Sequence, residues 1–190
     1  SQLVLMTGVL GAGLSGITRR IGLFDGNDGL FFQLSGTTLS VVVRSNVTGT
    51  PVDTLVAQSS WNLNTLNAHP FTLDTTKTQI FVFDFEWLGV GSIRFGVVVD
   101  GKIVYCHRTD NGNTVSTVYM STPNLPLRYE ISNDGTGLAA SLVHICSTII
   151  SEGGRSLTGT EFSTDRLVTG LTTLNDTDIY PLIAIRLKIG

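Results

Sequence analysis

The sequence predicts an all-β chain: a two-sheet antiparallel sandwich of jelly-roll or concanavalin-like type. Three observations give that reading. Val97-Val98-Val99-Asp100-Gly101-Lys102-Ile103-Val104-Tyr105 is a hairpin, because Asp-Gly supplies the two positive-φ residues of a type I′ turn between apolar, β-branched arms. Gln79 to Leu88 is a second strand-like run, rich in Phe. No segment of helical period competes with these runs.

The remaining elements follow in order along the chain. Arg20 to Phe24, Leu30 to Leu34 and Leu39 to Arg44 form a meander, punctuated by Asp25-Gly26-Asn27-Asp28-Gly29 and Ser35-Gly36-Thr37. Pro51 to Gln58 reads as a further strand, and Ser60 to Leu66 as one helical turn with a Ser cap. Gly89 and Gly91 mark a bulge or bend. Strands are expected at Thr114 to Met120, Leu127 to Ile131 and Leu138 to Ile150, with a corner between Pro123 and Pro126 and a loop at 133–137. The organisation expected is an N-terminal arm or the end of a preceding segment at 1–16, a sandwich core at 17–152, and an extended arm with a returning strand at 153–190. The start without Met and the end inside a strand-like run read as a piece of a longer protein.

Composition narrows the function. Of 190 residues 42% are apolar, enough for a core without disulfide staples. Charged residues are 14%, well below the usual share of about 25%, and mean hydropathy is +0.26. So little charge implies surface buried against partner chains. Net charge is −3 with no basic block, which argues against a nucleic-acid partner. No apolar run reaches the roughly 20 residues of a membrane helix, and Ser1 to Gly16 lacks the cationic start of a signal peptide.

Several stretches together carry a resemblance. They are Ile21 to Phe32, Trp87 to Gly96, Val99 to His107, Tyr119 to Ile131 and Pro181 to Lys188. In this order the series resembles a family of virion structural proteins from large tailed bacteriophages and other large double-stranded DNA viruses. The resemblance runs from about residue 19 to 188. It implies location in the virion (capsid, decoration, tail or fibre) and partnership with other virion proteins, and it carries no catalytic residues over; a homo-oligomer without a cofactor is expected.

The constellations that could carry chemistry are few. Asp84 and Glu86 share a strand face by the two-residue period, as a glycoside hydrolase pair would, but Val82 stands where that pattern's nucleophile belongs. The expectation is two polar residues on an outward face. Cys106, His107, His144 and Cys146 invite a zinc reading. By periodicity His144 and Cys146 share a face while Cys106 and His107 oppose, so three of the four can meet in one register. With no Cys-x-x-Cys loop the expectation is buried thiols and no metal, and the reducing cytosol of phage assembly disfavours a Cys106–Cys146 bridge. Asp25 to Gly29 resembles the start of a calcium loop, but Gly36 stands where the closing Glu is needed, so a hairpin turn is expected. His69 has no acid-base companion nearby. Trp87 is expected in the core, and either Trp61 or Trp87 would suit a sugar site.

The sequence therefore predicts a non-enzymatic virion structural domain, with a carbohydrate-binding module for host-surface glycan as the alternative. Three lysines against nine arginines leave strand edges without their usual guards. Assembly contacts are expected through the Gly-rich start and the segment after Gly153.

Overall fold

The computed structural model describes residues 1–68 and 71–151. The expected arm and returning strand at 153–190, and His69, lie outside the described residues. The strands are β1 (Gln2–Val9), β2 (Leu14–Phe24), β3 (Gly29–Gly36), β4 (Thr38–Ser45), β5 (Val52–Ala57), the two-residue pair β6 (Asn67–Ala68) and β7 (Phe71–Thr72), β8 (Gln79–Phe85), β9 (Ile93–Val99), β10 (Lys102–Thr109), β11 (Leu127–Asn133) and β12 (Val143–Ser151). Two five-stranded antiparallel sheets pack as a sandwich. The first has the order β10-β9-β8-β1-β12 and the second β11-β2-β3-β4-β5.

The core lies between the facing sheets and follows the two-residue alternation. Phe81, Phe83 and Phe85 of β8 and Phe95 of β9 point inward from the first sheet, and Ile21, Phe32 and Val41 from the second. Phe32 is the central ring, 5.0–5.9 Å from those of Trp61, Phe81, Phe83 and Phe95. A smaller cluster of Phe24, Phe31 and Val42 lies on the other face of the second sheet. Arg20 and Arg44 lie over the Phe31 ring and Arg128 over Phe24, so guanidinium groups shield it from water. Arg44 is held by a bidentate pair with Asp53, and Arg20 and Arg128 share Glu130.

The structure corrects the N-terminal boundary. Residues 1–16 are not an arm: β1 is paired on both sides, to β8 and β12, and Val4 and Met6 are fully buried. The glycine content that reads as flexibility serves close packing instead. A Cβ on Gly8 would stand 2.5 Å from the Val143 carbonyl oxygen. Two further expectations fail. Thr114 to Met120 forms turns rather than a strand, with the Thr114 and Val115 N–H groups both on the Asn111 carbonyl. The helical turn expected at Ser60 to Leu66 does not form, and a 3-10 turn stands before it at Gln58–Ser60, without a side-chain cap. Trp61 stops it: the backbone there is extended, the ring is buried against Phe32, and the indole N–H donates to the Val56 carbonyl.

The central hairpin is as expected. Val99 pairs with Lys102, and Asp100 and Gly101 have φ of 49° and 75°, the signature of a type I′ turn. Nothing lies within 4 Å of a Cβ placed on Gly101, so any cost of substitution is conformational. Gly101→Val is expected to cost about 1–2 kcal/mol, the penalty of a left-handed L-residue. Chemical denaturation of the two proteins measures the difference.

Candidate functional site

Two bulges decide where the cysteines and histidines go. In β10, Tyr105 pairs with Gly96 and His107 with Phe95, leaving Cys106 as the extra residue. His107 therefore joins the inward face of Phe95 and does not oppose Cys106, which is itself buried with its thiol on the Phe95 carbonyl oxygen, 3.3 Å away. Burial pushes the Cys106 thiol far above its ordinary pKa. In β12, Cys146 pairs with Thr7 and His144 with Gly8, so the extra residue Ile145 turns His144 and Cys146 to opposite faces. His144 stacks on the Tyr129 ring, 4.3 Å between centroids. Three strands stand between β10 and β12 in the sheet, so the four side chains do not converge and the cysteines are free thiols.

The other candidates also separate. Asp84 is buried, paired with Arg94 at 2.6 Å and accepting from the Tyr105 hydroxyl, whereas Glu86 lies beyond the end of β8 and is exposed. They do not form a catalytic pair. Asp25 accepts from the Asn27 and Asp28 N–H groups, which closes the β2–β3 hairpin and lowers its pKa, the Asp28 bond contributing most. Asp28 turns inward and takes the Asn46 N–H at 3.1 Å, the Ser121 N–H at 2.8 Å and the Ser121 hydroxyl. These loop residues hold the structure together. Trp61 is 5% exposed, and Trp87 is half-buried with its ring against Tyr119, so neither stands free in a loop.

What remains distinctive is an edge. Each sheet ends in two edge strands, and three of the four carry charges: Asp53 on β5, Lys102 and Arg108 on β10, Arg128 and Glu130 on β11. β12, Val143-His144-Ile145-Cys146-Ser147-Thr148-Ile149-Ile150-Ser151, carries no Asp, Glu, Lys, Arg or Pro. Val143, Ile145, Ile149 and Ile150 are exposed, Ile149 at 49%. Among the described residues only β1 pairs with this strand. Tyr129 fixes it in place, its hydroxyl shared between the Thr7 and Cys146 carbonyls of β1 and β12. Burial pushes the Tyr129 hydroxyl up to about 12. The arrangement is an uncharged β template in which, among the described residues, one row of backbone donors and acceptors is left open.

A second feature lies between the sheets on the opposite side. Sequence reasoning missed it, because no local signal joins β4, β5, β9 and β10. A cleft of about 300 Å³ opens there, walled by Val41, Val43, Val56, Phe95, His107 and Val118. His107 is 7% exposed and accepts the Asn62 N–H at Nδ1, 3.4 Å away. Burial lowers its pKa, favouring the neutral ring. No protein-family model matches the chain, and no curated protein matches it significantly.

Proposed function

We propose that this chain is a structural domain of a virion and that it acts by pairing with neighbouring subunits along the outer edge of β12. The observation that carries the assembly reading is the charge-free edge itself. A nine-residue strand of high β-propensity with an unguarded side is a template for another chain, and free-standing proteins blunt such edges with Lys, Pro or charge. The virion setting is supported by the resemblance of residues 19 to 188 to virion structural proteins. The low charged fraction agrees with surface covered by neighbours. The reading gives the domain no catalytic role, and the burial of Trp61 speaks against a glycan platform built on the two tryptophans.

Sedimentation velocity on the full chain tests this reading. The wild type is expected to associate with rising concentration. Thr148→Lys with Ile150→Lys places two charges on the exposed strand and is expected to raise the dissociation constant at least tenfold, on the order of 1.4 kcal/mol. A wild-type chain that stays monomeric at high concentration contradicts the reading.

A further inference from the structure

The cleft between the sheets has the features of a ligand site. At about 300 Å³ it reaches the lower end of the range for small-molecule pockets. Its walls are valines and Phe95 with threonines, Ser45, Asn111 and Tyr119, and among the described residues no charged side chain lines it, so an ionic ligand would lose its hydration without compensation. Of the buried polar side chains in this wall, Asn111 and Tyr119 donate to the Gly91 and Glu86 carbonyls, which leaves His107 as the group turned to the cleft. His107 is more than nine-tenths buried, and the Asn62 N–H donated to Nδ1 places the proton of the neutral ring on Nε2. Among the described residues Nε2 has no hydrogen-bond partner.

Val115 and Val118 bring exposed apolar surface to the cleft. Tyr119 N–H bonds the Gly89 carbonyl and the Asn111 side chain bonds the Gly91 carbonyl, tying the loop after β8 to the segment that closes the cleft. These two segments expose Leu88, Val90, Val115 and Val118. Leu88 is 92% exposed at φ 36°, a conformation that a bulky side chain adopts only when its surroundings impose it.

We propose that the cleft binds an uncharged aliphatic molecule with one acceptor oxygen, a ketone or ester, its chain among the valines and its oxygen on the Nε2–H of His107. The probes are 2-decanone and n-decane, followed by methyl and histidine-nitrogen NMR on the full chain. The ketone is expected to give saturable shifts at the Val43, Val56 and Val118 methyls and at His107 Nε2, and to bind several-fold tighter than decane, the worth of one neutral hydrogen bond. Thr54→Trp, at an exposed position on the cleft wall, is expected to weaken ketone binding at least tenfold. His107→Phe is expected to bring the ketone down to the affinity of decane. No saturable ketone binding up to its solubility, equal affinity for the two probes, or an unaffected Thr54→Trp would each overturn the proposal. If His107→Phe fails to fold, the wild-type ratio and Thr54→Trp still decide it.

Discussion

Phe32→Ala is expected to cost about 3–5 kcal/mol, the range for deleting a large aromatic ring from a packed core. The site has little room to relax. Phe32 is fully buried, its ring meets four other aromatic rings, and those rings come from β8, β9 and the segment after β5. Collapse into the space left would have to move both sheets, so a cavity term adds to the lost transfer energy. Domains of this kind are held by roughly 5–15 kcal/mol in all, so the variant is expected to lose a large part of its stability. Urea unfolding gives the midpoint shift, and a change below about 1.5 kcal/mol would show that the sheets do not pack through this ring.

Asp28→Ala is expected to cost on the order of 3 kcal/mol, through a different mechanism. The Asp28 carboxylate is fully buried and its two oxygens serve three donors on distant segments: the Asn46 N–H, the Ser121 N–H and the Ser121 hydroxyl. Alanine leaves both N–H groups without acceptors, at about 1–3 kcal/mol for each one kept from water. Asp28→Asn keeps the Oδ1 acceptor for both amides and lets the Ser121 hydroxyl accept instead of donate. It should therefore cost less than half as much. Equal losses from the two variants would show that charge, and not the bonding of the two amides, is what the site needs.

The sequence made the hairpins legible because their chemistry is local. Asp100-Gly101 specifies its own φ values, and the Phe alternation of β8 specifies its own face. β1 was not legible as a strand of the sheet. Leu3 and Leu5 on one face and Val4 and Met6 on the other erase the alternation, and Gly8 looks flexible until the β12 backbone passes against it. The bulges at Cys106 and Ile145 were hidden for a related reason: an extra residue is a property of two paired strands, and neither strand announces it. Each one reverses a facing relation that periodicity predicts, while the three strands between β10 and β12 keep the two Cys/His pairs apart. Tyr119 and Met120 are apolar because they fill the core from a loop, which a pattern reading takes for a strand.

The excess of arginine over lysine has an intramolecular use. Arg20, Arg44, Arg94, Arg108 and Arg128 all form ion pairs within the chain, so their abundance over lysine does not mark an intermolecular surface. The edge that lacks charge carries the argument instead, and it lies on β12 rather than on the N-terminal segment. In the proposed interface its exposed isoleucines would supply the side-chain contacts, and the backbone groups that no described residue pairs would supply the main-chain hydrogen bonds.

Amide hydrogen exchange resolved along β12, measured on the full chain at dilute and at associating concentration, tests the central claim most directly. Along Val143–Ser151 the amides bonded to β1 are expected to be protected under both conditions, whereas the others point to the side that no described residue pairs. The account predicts that the open-side amides gain at least tenfold protection on association, while those of β5, β10 and β11 do not change. Association with no added protection along β12, or with protection gained on another edge instead, would contradict it.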